Sequence, residues 1–212
     1  MWKMAIDDSN PKNWKKEYLR EFWKELKDED GLMKGIDVIN LLNREIQINT
    51  LTPDVANKVD SYIRFWNMMD EELLDSEKKP IKIYINSFGG SLMAALTLVD
   101  SIKLSRIQVY TINRGIVAKE AFYVYLAGIR RYSYPRSSFY FEKNLQYFNT
   151  GETQSNYEDF ISGQQQELKD MVLERTKITD SEFEKRDGWW LTAEKAYSYH
   201  ICNEVIRAQH IN

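Results

Sequence analysis

The run Ile81-Lys82-Ile83-Tyr84-Ile85-Asn86 is β-rich, breaks at Ser87-Phe88-Gly89-Gly90-Ser91, and passes into a helix-like stretch from Leu92 to about Leu104. A second strand around Ile107–Ile112 then leads through a turn at Asn113-Arg114-Gly115 to a second helix from about Lys119 to Gly128. Parallel neighbours in a sheet need a crossover between them. Strand, glycine turn and helix repeated in that order therefore predict an α/β domain with a mainly parallel sheet. Two adjacent glycines let the backbone approach a ligand and turn its N–H groups outward, and a following helix adds partial positive charge. Gly89, Gly90 and the turn at 115–120 are thus candidates for an oxyanion-hole-like site. A purely structural turn is the alternative.

The flanking segments extend the pattern. Glu45-Ile46-Gln47-Ile48-Asn49 alternates as a strand does, and Thr52-Pro53 opens a helix with Val55, Val59, Ile63 and Trp66 on one face. A strand is expected around Ser138–Phe141, a long charged helix from about Ser155 to Lys177, and a short helix capped by Thr192 and ending near His200. Residues Glu204–Ile206 add a last short strand. Upstream, Asn10-Pro11 followed by Trp14, Tyr18, Leu19, Phe22, Trp23 and Leu26 predicts an amphipathic helix ending near Gly31. This divides the chain into an N-terminal helical extension, 1–35, and an α/β domain, 36–212. The aromatic stripe either packs on its own domain or docks to a neighbouring subunit or partner through Trp14, Phe22 and Trp23.

Composition narrows the function classes. The chain has 212 residues, of which 43% are apolar and 29% charged, with only 9 Gly and 4 Pro, so it is expected to fold rather than to be disordered or fibrous. Its 29 Lys and Arg against 32 Asp and Glu leave a net charge of −3, without the basic excess of a nucleic-acid binder. No apolar run reaches the roughly 18 to 20 residues of a membrane span, and the first residues lack a signal-peptide core, so a soluble, cytoplasmic protein is expected. The single cysteine, Cys202, reads as a buried structural thiol. The two histidines, His200 and His210, sit outside any zinc-like cluster, and neither a metal nor a cofactor is expected.

Ile83-Tyr84-Ile85-Asn86-Ser87-Phe88-Gly89-Gly90-Ser91 closely resembles a motif of the proteolytic subunit of the Clp protease family (ClpP), with Phe88 where that family usually has proline. The resemblance runs from about Asn43 to Ile206. It includes Gly115-Ile116-Val117-Ala118, Leu126-Ala127-Gly128, Tyr134-Pro135-Arg136-Ser137 and Leu191-Thr192-Ala193-Glu194-Lys195-Ala196, in the family's order. It implies the spiral ClpP/crotonase-like α/β fold, with repeated strand-turn-helix units and, at Ser155–Lys177, the handle helix through which two heptameric rings stack. A homo-oligomeric ring is the expected assembly, with a Clp-type unfoldase or a ClpP-like paralogue as the partner class.

The family is a Ser-His-Asp peptidase. Carried over residue by residue, the nucleophile's place falls on Lys119, the histidine's on Glu142, and the acid's on Gly188 or, with a one-residue shift, on Asp187. Glu120 holds the place whose backbone N–H serves the family's oxyanion hole. A lysine works as an acyl-transfer nucleophile only with a strongly depressed pKa, and a neighbouring carboxylate acts the opposite way, so Lys119 and Glu142 are expected to form an ion pair. The serines near the cleft, Ser87, Ser91, Ser137 and Ser138, have no histidine beside them in sequence, and His200 holds a helix end where the family commonly has glycine. The expected function is a catalytically degenerate, non-catalytic scaffold or regulatory subunit. The alternatives are an active peptidase with an unconventional Lys/Glu site, or a crotonase-type acyl-CoA enzyme with Glu142 as acid or base.

Overall fold

A computed structural model describes residues 41–142 and 157–207. The predicted helix at 10–31, with Trp14, Phe22 and Trp23, lies outside the described residues, as does the expected boundary at residue 35. The chain divides between Glu45 and Ile46. The second unit carries the fold.

In chain order the elements are β1 (Glu45–Ile48), α1 (Pro53–Met69), β2 (Ile81–Ser87), α2 (Leu92–Lys103), β3 (Val109–Ala118), α3 (Glu120–Ala127), β4 (Arg130–Ser133) and β5 (Ser138–Glu142). These are followed by α4 (Tyr157–Arg175), α5 (Asp180–Glu184), β6 (Gly188–Thr192), α6 (Ala193–Ser198) and β7 (Glu204–Val205). Among the described residues all the strands join one sheet, ordered β1-β2-β3-β4-β7, with β5 pairing β3 and β6. The β2–β3, β3–β4, β3–β5 and β4–β7 pairs are parallel, and β5–β6 is antiparallel. This is the α/β fold with repeated strand-turn-helix units that the sequence predicts.

Local chemistry explains the helix boundaries. Thr52 caps α1, its Oγ1 accepting the Val55 N–H at 3.2 Å, and Pro53 occupies the first turn, where its missing N–H has no consequence. The buried face of α1 is Ala56, Val59, Ile63 and Trp66, with Val55 shifted to the margin. Ser91 caps α2 through its Oγ and the Ala94 N–H. Helix α3 is buried all round, as expected of a segment reading Ala121-Phe122-Tyr123-Val124-Tyr125-Leu126. Each large apolar side chain in it adds about 1.5–3 kcal/mol of transfer free energy, so its first residue is held firmly in place.

The expected turn at Asn113-Arg114-Gly115 is a bulge within β3. Ile85 pairs Asn113 and Ser87 pairs Val117, so two steps on β2 are matched by four on β3. Side-chain amides take up the N–H groups that the ladder drops: Asn113 Oδ1 accepts from Gly115 and Asn86 Oδ1 from Ile116, each at 3.0 Å. A Cβ at Gly115 would collide with Asn86 Oδ1, so the strand continues across the glycine instead of reversing. Past the bulge, Ile116–Ala118 leaves β4 and pairs with β5. This fork brings the end of β3 beside Glu142.

Among the described residues, no helix is long and apolar enough to cross a membrane, and no group of three His, Cys, Asp or Glu is placed to hold a metal ion.

Candidate active site

The two strand-to-helix turns meet at the ends of β2 and β3. At the first, Gly89 (φ +106°) and Gly90 (φ +150°) take a backbone conformation that a side chain resists. The turn is clasped by the backbone of Leu51, whose N–H donates to Gly89 O at 3.2 Å and whose carbonyl accepts the Ser91 N–H at 2.8 Å. A Cβ at Gly90 would collide with the Leu51 carbonyl oxygen. Ser87 is fully buried and spent on the same turn, its Oγ accepting the Gly89 N–H at 3.1 Å.

At the second turn Lys119 stands at φ 52°, ψ −124°, a rare conformation for a residue with a Cβ. Its N–H donates to the Tyr140 carbonyl at 3.1 Å, and its own carbonyl accepts the Phe122 N–H at 2.9 Å. The kink between strand and helix is therefore held at both ends. It presents the Lys119 side chain outward, 46% exposed, with Nζ 3.5 Å from Glu142 Oε2. Glu142 ends β5, where the Tyr123 hydroxyl lies 3.5 Å from its carbonyl.

Glu120 behaves differently. It is only 5% exposed, and its Oε2 accepts the Gly90 N–H at 2.9 Å, so its carboxylate lies inside the first turn. A Cβ at Gly89 would collide with that same oxygen.

The structure thus brings Lys119, Glu142, Gly89, Gly90 and Glu120 together. Asp187 is exposed at the entry to β6. Gly188 stands opposite Glu142 in the β5–β6 register, and the Tyr140 hydroxyl fills the space a side chain there would need. The other serines have backbone duties: Ser91 caps α2, Ser137 Oγ donates to Asn113 O at 3.0 Å, and Ser138 pairs with Ile116 and Thr192 across neighbouring strands. His200 follows α6 at φ 61°, the left-handed conformation a glycine would take at a helix end. Leu51 and Tyr140 act on the site through their backbones, and a backbone contact such as that from Leu51 to Gly89, 38 positions away, leaves no trace in residue type.

A forked parallel sheet, with the Gly89-Gly90 turn and the Lys119 kink converging at its strand ends, is the fold of Clp protease proteolytic subunits. A solved ClpP1 point mutant from Listeria monocytogenes has this fold, with a TM-score of 0.67 at 22% identity over 82% of this chain and 97% of its own. The family model described as Clp protease matches residues 30–209, and the chain belongs to that family. An ATP-dependent Clp protease proteolytic subunit 2 from Prochlorococcus marinus strain MIT 9313 is 32% identical over 182 residues, covering 81% of this chain and 84% of that protein. A subunit of the same description from Borreliella burgdorferi is 28% identical, over 80% and 86% of the two chains.

Proposed function

We propose that this chain is a non-catalytic member of the Clp protease family, acting as a ring-forming scaffold or regulatory subunit. The observation that carries this reading is the Lys119–Glu142 ion pair at the elbow, where the resemblance puts nucleophile and base. Acyl transfer by this family's chemistry needs an oxygen that can become an alkoxide and a base that takes and returns its proton. A lysine held against a carboxylate offers N–H groups instead of a nucleophilic oxygen, and the carboxylate has no acid of its own to orient it. Gly188 supports the same reading, because it faces Glu142 across the β5–β6 pair and offers no carboxylate there.

The relatives are described as proteolytic subunits of an ATP-dependent protease, so the assembly implied is a Clp-type one. It would contain this chain alone or with a ClpP-like paralogue, with a Clp-type unfoldase as the outside partner, in the cytoplasm. The test is cleavage of a panel of short fluorogenic peptides by the purified chain, with its mass in solution recorded on the same sample. An assembled ring without turnover is the expected result. Turnover that survives repeated purification and disappears in Lys119→Ala would overturn the reading in favour of a Lys/Glu peptidase.

A further inference from the structure

We propose that Glu120 is an internal plug: its carboxylate occupies the backbone donor of the Gly89-Gly90 turn and closes the site to any carbonyl or oxyanion, whatever stands at positions 119 and 142. This deepens the non-catalytic reading and rests on it.

A glutamate in the first turn of a helix is ordinarily solvated and favoured there by the helix dipole. Glu120 gives up that solvation. It is the only charged residue of α3, it is 5% exposed, and its Oε2 reaches across 30 residues of sequence to the Gly90 N–H at 2.9 Å. The space it fills exists because Gly89 has no side chain. A substrate carbonyl approaching the Gly90 N–H would meet an oxygen already hydrogen-bonded there. Charge developing on that carbonyl would meet a carboxylate at contact distance, where like charges repel strongly in a dry site. The ion pair at 119 and 142 and the plug at 120 are therefore two separate obstacles. Removing the first leaves the second in place.

The experiment compares K119S/E142H with K119S/E142H/E120A in their rate of labelling by a fluorophosphonate. In labelling, the introduced hydroxyl oxygen bonds to phosphorus as fluoride leaves, with the proton passing to the introduced imidazole. A free Gly90 N–H would stabilise the phosphoryl oxygen, so the triple variant is expected to label at least about tenfold faster, below the roughly hundred- to thousandfold that one such donor contributes in an intact active site. Equal rates, including no labelling of either protein, overturn the plug. Melting curves and solution mass are recorded on both. If the alanine variant does not fold, K119S/E142H/E120S replaces it, whose short side chain cannot reach the Gly90 N–H, and the same acceleration is expected. Peptide turnover by the unaltered chain is measured alongside. Turnover there removes the non-catalytic reading, whereas equal labelling rates remove only the plug.

Discussion

Three charged side chains are buried among the described residues, Asp70, Glu120 and Arg131, and the last two, each 5% exposed, are satisfied in different ways. The Arg131 guanidinium donates to four backbone carbonyls from three segments: Nε to Ile201 at 2.8 Å, Nη1 to Gly128 at 3.3 Å, and Nη2 to Arg175 at 3.1 Å and His200 at 3.0 Å. Its directed fork ties the ends of α3, α4 and α6 together. Glu120 accepts one N–H from one turn. The arginine's charge is met by the fold itself, while the glutamate's charge sits where a ligand would. Burial alone therefore says little about what a charge is for; the number and origin of its partners say more.

The sharpest way to break the comparison is Arg131→Met. It strands the carbonyls of Arg175, His200 and Ile201, while Gly128 O keeps its bond from Arg175 Nη2 at 2.7 Å, and at about 1–3 kcal/mol for each group left without a partner the loss should be about 3 kcal/mol or more. For a domain of this size that lowers Tm by roughly 6 °C or more, read by thermal denaturation. A fall no larger than that of Glu120→Gln would place both charges in one class.

Gly89→Ala tests the other side. A methyl at φ +106° beside Glu120 Oε2 is expected to cost about 1–3 kcal/mol, and part of that cost should vanish in the Glu120→Ala background. A double-mutant cycle by denaturant unfolding checks the coupling, and strict additivity would mean the carboxylate does not occupy the turn.

Cys202, fully buried close to Arg131, gives a pH-dependent contrast. Burial pushes its thiol up from 9.0 to about 11, against a smaller downward pull from Arg131. Because the folded-state value is the higher one, the stability linked to this thiol is present below about pH 9 and lost as pH rises toward 11. In the native protein the thiol should resist disulfide reagents at pH 8 and react once the protein is unfolded, which absorbance at the released thiolate reads directly. The smallest effect belongs to the Lys119–Glu142 pair. Half-exposed, it should contribute at most about 1 kcal/mol and fade with added salt, as stability measured in Lys119→Met at two ionic strengths will show.

Periodicity and turn chemistry make the β2–turn–α2 unit and α1 legible, because each combines an apolar period with a capping residue, Ser91 and Thr52, and the long helix is legible from its length and charge alone. Strand β4 is not: Arg130-Arg131-Tyr132-Ser133 has no apolar alternation and owes its place to parallel pairing with β3 and β7. Strand β6 was missed too, since Gly188-Trp189-Trp190-Leu191-Thr192 owes its place to pairing with β5. At the site, residue identities located Lys119, Glu142 and the glycines. The direction of the Glu120 side chain depends on the kink at 119 and on the empty space above Gly89, and neither is written in a one-dimensional pattern.

The four acceptors of Arg131 also set an order of events during synthesis. Gly128 and Arg175 emerge from the ribosome before His200 and Ile201, which lie 69 and 70 residues after the arginine. Until those last carbonyls arrive, the guanidinium on β4 has only part of its shell and must stay near water. The domain therefore closes its core late, when almost the whole described chain has been made, and a nascent chain halted before His200 would remain open around β4.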